Sequence, residues 1–480
     1  ESNAINNYQF VFSTGPFIDS LSVTGNVWSA LNLDPPENTM VMLHRQLEDT
    51  AVVKQIPDYI TRATAKGEFR IDNVSPGTYR LYALVDIDNS KNYNNREETF
   101  AFHDVPIRIS PEKNYLPTEP DSAAAVISMP AGPGAPFIPP VAGEYHLTLF
   151  QAEKKLHYLT SSSRTQPYHL TFTLSLPPDS LKFDFSIPDA SPGSYFIEKN
   201  STHDTITVWL TDTTIYNRQQ IETIVTFPFT DTLGITDLRI DTIPMRYLAP
   251  RAPRVRTARR TPFNVSTGLT AQLRPDRQIV LTAPAPFMPP DTSGIELFEM
   301  LKEQKTTQSF SMERDTNNAC RYYFNTALKP GSSYLFTADS AAFRSIYGDI
   351  SDSIAVRFSV LTQESFGKLI LDIKGYEGGK IIQVLDNLDN LVREVYLGNT
   401  GKIEFPLLEK GKYRVRAIFD LNDDGKWTTG DFDTHRQPEP VSYYPEELEI
   451  KENWEITQPW ELEPGNFKEA KLQKVKTSGR

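Results

Sequence analysis

Gly67, Gly77, Tyr79, Arg80, Ala83 and Asp86 recur, in the same order and at the same mutual spacing, as Gly401, Gly411, Tyr413, Arg414, Ala417 and Asp420. One structural unit is therefore present twice, and the chain has to be counted in modules instead of being read as one large domain. The runs that carry the repeat alternate apolar and polar residues with the period of a strand. Strands, not helices, are thus expected at Arg80–Val85 and Arg414–Phe419.

At 480 residues the chain has room for three or four domains, each large enough for its own core. Pro (36) outnumbers Gly (24), and the apolar runs are short and broken by turn residues, a composition suited to many short strands. The expected fold class is all-β, a tandem of β-sandwich modules joined by Pro-rich linkers. A net charge of −12 argues against nucleic acid as a main partner, because phosphate binding needs clustered cations. Cys320 is the only cysteine, which excludes a disulfide framework and a Cys-based zinc site and leaves a packed small residue in a strand. No stretch approaches the roughly 20 apolar residues of a membrane helix. Glu1-Ser2-Asn3-Ala4 has neither the charged nor the apolar region of an export signal, so any such signal is expected to have been removed or left out.

The modules divide as follows. Residues 1–15, with the alternating run Tyr8–Gly15, read as the last strand of an immunoglobulin-like domain whose body lies upstream. Residues 16–110 form a first sandwich, in which Gly77 after Pro76 suits the positive φ of a type II turn. Residues 111–143, rich in Pro, Ala and Gly, form an extended linker. Residues 144–248 form a second sandwich that opens with a strand at His146–Phe150, and 249–261 a basic connection with Arg251, Arg254, Arg256, Arg259 and Arg260. That connection is either a solvated linker or a docking segment for an acidic surface or anionic lipid. Residues 262–364 form a third sandwich, whose Pro330-Gly331-Ser332-Ser333-Tyr334 leads into a strand as Pro76-Gly77-Thr78-Tyr79 does. Residues 365–463 are the second copy of the repeated module, and 464–480 a loosely ordered Lys-rich tail.

Phe12-Ser13-Thr14-Gly15, Gly67-x-Phe69, Pro76-Gly77-x-Tyr79-Arg80-Leu81-Tyr82-Ala83-Leu84-x-Asp86, Gly425-Lys426-Trp427 and Arg436-Gln437-Pro438-Glu439 together resemble the Ig-like-domain lipoproteins of Bacteroidetes. In that family a bacterial Ig-like domain of the S-layer-protein type precedes a transthyretin-like or carboxypeptidase-regulatory-like module. The resemblance implies that 16–110 and 365–463 are transthyretin-like and 262–364 is Ig-like. It further implies export, an N-terminal lipid anchor upstream of this chain, and residence at the bacterial outer membrane, facing outward. Asp followed by Ser or Thr, as at Asp49-Thr50-Ala51, Asp204-Thr205-Ile206, Asp212-Thr213-Thr214 and Asp352-Ser353-Ile354, resembles the O-glycosylation sequon of the same bacteria. The same dipeptides are also ordinary strand-entry residues.

Chemistry is concentrated just after the repeated strand. In the second copy Asp420, Asn422, Asp424, Lys426 (through its carbonyl), Thr428 and Asp431 fall at positions one, three, five, seven, nine and twelve, with Gly425 at six, the spacing of a calcium loop. In the first copy the corresponding ligands are Asp86, Asp88, Ser90, Asn92, Asn94 and Glu97, with Lys91 in the glycine position, so weaker binding is expected. Two carboxylates about 4 Å apart repel by roughly 4 kcal/mol at an effective dielectric of 20, so gathering Asp420, Asp424 and Asp431 calls for a cation unless water screens them. A structural Ca²⁺ is the one cofactor expected, against the alternative of acidic Asx-turn loops in which Tyr93 and Trp427 simply pack.

The seven histidines show no HExxH spacing, and neither a Gly-x-Ser-x-Gly elbow nor a phosphate loop is present. A non-enzymatic docking subunit of an outer-membrane complex, with a β-barrel or other envelope protein as partner, is the reading these features favour. The alternative is an adhesin or glycan-binding protein with Tyr443, Tyr444, Trp454 and Trp460 as a sugar platform, unless those aromatics fill the last module's core.

Overall fold

In the computed structural model, residues 21–35, 37–110, 144–153, 155–178, 182–231, 234–248, 263–301 and 304–462 are described. The expected opening strand at 8–15, the linker 111–143, the arginines at 251–260 and the Lys-rich tail lie outside them. The chain divides into two compact units, one made of 1–153 with 367–480, the other of 154–366.

The first unit holds both copies of the repeat. The first copy is built from β1 (Leu21–Ser29), β2 (Met40–His44), β3 (Tyr59–Arg62), β4 (Glu68–Val74), β5 (Gly77–Val85), β6 (Thr99–Phe102), β7 (Ile107–Ile109) and β8 (Tyr145–Gln151). The second is built from β9 (Gly367–Gly375), β10 (Lys380–Leu385), β11 (Leu391–Leu397), β12 (Gly401–Leu408), β13 (Gly411–Phe419), β14 (Val441–Tyr443), β15 (Leu448–Ile450) and β16 (Glu455–Leu462). In each copy the fourth, first and eighth strands are neighbours, as are the third, second, fifth and sixth, with the seventh pairing the fifth; in the second copy these are two sheets, whereas in the first β6 also pairs with β8 and joins them into one eight-stranded sheet. Alternation along β5 and β13 sends Tyr79, Leu81 and Ala83, or Tyr413, Val415 and Ala417, into the sandwich core. The fold class is thus the expected all-β tandem of sandwiches, and Arg80–Val85 and Arg414–Phe419 are strands.

One strand belongs elsewhere than the sequence suggested. Tyr145–Gln151, read as the start of the second sandwich, runs parallel to β1 (Gly25 opposite Tyr145, Leu147 opposite Val27) and buries Leu147 and Leu149 in the first copy's core. Its counterpart β16 runs parallel to β9 in the same way. Without β8 the outer edge of β1 would present unpaired backbone groups.

Gly77 is a second correction, since it does not take a positive φ. The left-handed residue is Asn73 (φ 59°), and its counterpart Leu407 (φ 55°) does the same in the second copy. Both stand where the first and fourth strands change register. The Tyr that recurs in both copies has a different duty. The Tyr79 hydroxyl donates to the Ser75 carbonyl at 2.9 Å, and the Tyr413 hydroxyl to Glu409 at 2.8 Å. Each pins the turn entering the central strand, the arrangement of a tyrosine corner.

The two copies are fastened to each other by residues 429–438, which intervene between the acidic loop and β14. Phe432 enters the aromatic cluster of the first copy, 5.0 Å from the Phe100 ring and 5.5 Å from Phe102. Around it Thr429 Oγ1 donates to the Gln151 carbonyl (2.7 Å), Gln437 Nε2 to the Phe102 carbonyl (2.9 Å) and Asp104 Oδ1 (2.7 Å), His435 Nε2 meets Asp49 Oδ2 (2.7 Å), and Arg96 pairs with Asp433. From β13, Arg416 reaches the Leu31 carbonyl at 3.1 Å.

The second unit contains two sandwiches. Leu159–Gln166, His169–Leu174, Thr205–Leu210 and Tyr195–Lys199 form one sheet, which faces Asp184–Ser186, Gln220–Thr230 and Thr236–Arg246 across a core of Phe172, Phe185, Val208 and Phe227. Arg164, 7% exposed, donates to the carbonyls of Pro167, Tyr216, Gln219 and Met245 and so ties its hairpin to the opposite sheet. The other sandwich is centred on Ile295–Leu301, Ser333–Ala338 and Ile354–Val360, packed against Ile279–Thr282, Phe310–Arg314 and Arg321–Thr326. Tyr334 Oη accepts from the Lys329 N–H (2.8 Å), a relative of the two tyrosine corners. Cys320 precedes the strand Arg321–Thr326 and is buried, its thiol pushed up to about 12 by desolvation.

Candidate functional site

The acidic loops begin where β5 and β13 leave their sheets, and their backbones are alike. Asn89 (φ 60°) matches Asp423 (φ 55°), and Lys91 (φ 61°) matches Gly425 (φ 73°). Lys91 therefore holds the bend that glycine was expected to supply, at the steric cost that a Cβ brings in the left-handed region.

In the second loop the expected residues are mostly bonded to one another. Asp420, only 1% exposed, accepts from the Asp424 N–H at Oδ1 (3.1 Å) and from the Gly425 N–H at Oδ2 (2.8 Å). Asn422 Nδ2 donates to Asp424 Oδ2 (3.2 Å) and Thr428 Oγ1 (2.8 Å), while the Lys426 N–H donates to Asp424 Oδ1 (2.8 Å). Asp431 is not the closing acid. It makes a backbone bridge with Arg436 inside the fastening segment, and its Oδ1 accepts from the Asp433 N–H (3.0 Å). Glu439 closes the loop instead, accepting from the Leu421 N–H at Oε1 (2.7 Å) and from the Thr428 N–H at Oε2 (2.8 Å). Burial, with the Asp420 charge adding to it, raises the Glu439 carboxyl above its usual range against the two amide bonds. Trp427 packs, with its indole N–H on the Glu439 carbonyl (3.1 Å).

The first loop has the same frame with a different closure. The Ser90 N–H donates to Asp86 Oδ1 (3.2 Å) and Asp88 Oδ1 (2.9 Å), and the Lys91 N–H to Asp86 Oδ2 (3.0 Å). The Asn92 carboxamide turns its nitrogen toward the carbonyls of Lys91 and Gln55 (3.0 and 2.6 Å), and Asn94 is exposed. Glu97, expected at position twelve, is exposed as well. Its neighbour Glu98 is 0% exposed and takes the place of Glu439, accepting from the Ile87 N–H at Oε1 (3.0 Å). Among the described residues one trio of potential metal-binding side chains has its ligand atoms all within 4.8 Å of one another: Asp86, Asp88 and Glu98. Tyr93 packs flat on Phe100, 4.1 Å between ring centres.

The aromatic platform expected of an adhesin is not formed. Tyr443, Tyr444 and Trp460 are in or beside the core, and only Trp454 is exposed, with the Lys451 ammonium over its ring. Of the Asp-Ser/Thr dipeptides, Asp212 caps the short helix Thr213–Tyr216 and Asp204 accepts from its own Thr205, both local turn roles. His169 meets Thr165 Oγ1 at 3.1 Å, but its other ring nitrogen faces Thr171 Oγ1 and no carboxylate, and the ring stacks on Trp209. A cavity of about 450 Å³ between the two copies has Glu153 as its one ionisable wall residue. Among the described residues no helix is long and apolar enough to cross a membrane.

These features define a tandem of all-β sandwich modules, one of them present twice. A fibronectin-III-like family model, polysaccharide lyase family 4, domain II, matches residues 48–86, the stretch running through β3, β4 and β5; that domain is not the catalytic one. A search of curated proteins returned no match. Among solved structures, the Bacillus anthracis TIE protein is similar at 11% identity and a TM-score of 0.14, with 64% of this chain and 57% of that one covered. An alpha-2-macroglobulin from Escherichia coli is similar at 12% identity and a TM-score of 0.21, over 62% of this chain and 96% of that one. The surface layer protein SbsC, domains 1–6, is similar at 11% identity and a TM-score of 0.23, over 64% and 41%. The match thus spans less than two thirds of the TIE chain.

Proposed function

We propose that this protein is a non-enzymatic lipoprotein of the bacterial outer membrane, exposed at the cell surface and serving as a structural or docking subunit of a membrane complex. The observation that carries this reading is the fastening of the two repeats by residues 429–438, which makes two sandwiches one stiff body. A fixed body of this kind presents several strand and loop surfaces at set distances, which suits a spacer or docking platform better than a hinged catalyst. Its buried Arg416 serves the same end, since the guanidinium is bonded to the Leu31 carbonyl of the first copy and to Gln383 of the second. The resemblance to Bacteroidetes Ig-like-domain lipoproteins supplies the location, the upstream lipid anchor and the class of partner, an outer-membrane β-barrel or another envelope protein.

The test is co-purification of the full-length protein from detergent-solubilised native membranes. The expected result is recovery with a barrel or other envelope protein in a fixed ratio. Recovery alone in the soluble fraction, or with no partner at constant stoichiometry, would overturn the reading.

A further inference from the structure

Glu439 and Glu98 occupy the same place in the two copies, and their bonding differs in one atom. Both oxygens of Glu439 accept backbone N–H groups. In the first loop Oε1 of Glu98 is bonded to the Ile87 N–H, while Oε2 is buried and finds no hydrogen-bond partner. The second amide is absent because the Asn94 N–H, at the position of the Thr428 N–H, turns to the Asn92 carbonyl (2.9 Å). A buried carboxylate oxygen without a donor costs free energy in proportion to its desolvation. Its residue, Glu98, forms a trio with Asp86 and Asp88 in which one carboxylate oxygen from each lies within 4.8 Å of the other two.

We infer that Asp86, Asp88 and Glu98 form a calcium site in the first repeat, and that the second loop, closed by its own amides, is the metal-independent version of the same turn. The donors are all hard oxygens, which favours Ca²⁺ over the softer transition metals. Oxygens within 4.8 Å of one another can all be reached by one Ca²⁺ with ligands at 2.3–2.6 Å. Asp88 is exposed, so water completes the coordination from the solvent side. The cation would bridge the start of the loop to the residue preceding β6, on whose next residues the aromatic cluster with Phe432 is built.

Calcium titration of the full chain by calorimetry, paired with melting in chelator and in calcium, tests the assignment. The expected result is binding at one site, a raised melting temperature of the unit holding the repeats, and affinity weakened on the order of tenfold or more by D88N and by E98Q. D424N, in the second loop, should leave the affinity unchanged. Both first-loop variants are first melted in chelator; if E98Q does not fold, D88N, at an exposed position, decides alone. Absence of heat and of any melting shift up to about 10 mM calcium, beyond the weakest extracellular modules, would overturn the proposal. So would affinity that survives both first-loop variants or is lost in D424N.

Discussion

The two repeats share eight strands, a tyrosine corner and an acidic loop, yet they keep their loops in shape by different means. In the first copy the closing acid follows the opening Asp by twelve residues, and in the second by nineteen. The additional residues make the fastening segment, and in the second loop the Thr428 N–H, at the position of the Asn94 N–H, turns to the buried Glu as its second amide donor. The first loop is shorter, packs Tyr93 inward and leaves one oxygen of Glu98 without a donor. A duplicated module can thus be kept as a fold while one copy becomes the clasp and the other the candidate site.

The largest effect is expected where the clasp enters the other copy. Phe432 is 4% exposed amid Tyr82, Tyr93, Phe100 and Phe102, so Phe432→Ala should cost about 3 to 5 kcal/mol in chemical denaturation of the unit holding the repeats. If the loss stays below about 1 kcal/mol, the repeats are not held together by this segment.

The tyrosine corners should respond alike, because each hydroxyl makes the same bond to the carbonyl four residues back, at 2.9 and 2.8 Å. Tyr79→Phe and Tyr413→Phe are each expected to lose about 1 kcal/mol, the contribution of one hydrogen bond. Tyr79 Oη also meets Ser75 Oγ and Arg45, so a larger loss in the first copy would show that this surrounding network adds to the corner.

The strand periodicity and the repeat were legible because they depend on local alternation and on spacing that needs no tertiary knowledge. So was the resemblance between the turns before Tyr79 and Tyr334: each hydroxyl bonds the backbone of its own turn, Tyr79 as donor to the Ser75 carbonyl and Tyr334 as acceptor from the Lys329 N–H. Three features were not legible. The strand Tyr145–Gln151 completes a parallel pair with β1 from beyond a long intervening segment, and its apolar pattern is the same whichever sandwich it joins. The closing acids were misplaced because counting to twelve assumes that the ligand is set by loop length. In the first copy the turn before β6, closed by the Glu98 N–H on the Asn95 carbonyl (3.1 Å), buries Glu98 and leaves Glu97 exposed, while in the second an insertion puts Asp431 where the count ends. The partner of Gly425 was misjudged too, since Lys91 adopts the same left-handed bend.

That last pair gives the next comparison. Gly425→Ala should lose roughly 1 kcal/mol, because a Cβ at φ 73° is strained, whereas Lys91→Gly should be neutral or gain up to about 1 kcal/mol, relieved strain being offset by the freer unfolded chain. Equal losses at both positions would mean that the Lys91 side chain stabilises its loop by more than its backbone costs.

The smallest difference separates His44 from Leu385, which occupy the same register position opposite Arg80 and Arg414. His44 is buried, its Nε2 has no hydrogen-bond partner, and desolvation lowers its pKa from the ordinary 6.5 despite the opposing charge of Asp58. The folded state therefore binds this proton less readily than the unfolded chain does. Stability from His44 is complete above the ordinary pKa and is lost as the pH falls through about 6.5 and below. His44→Leu, which gives the first copy the residue of the second, removes that linkage. Melting of the unit holding the repeats should then fall less between pH 7.5 and 5.5 in the variant than in the wild type. An unchanged slope would mean that His44 is protonated as easily in the fold as outside it, and that the two copies do not differ in acid response at this position.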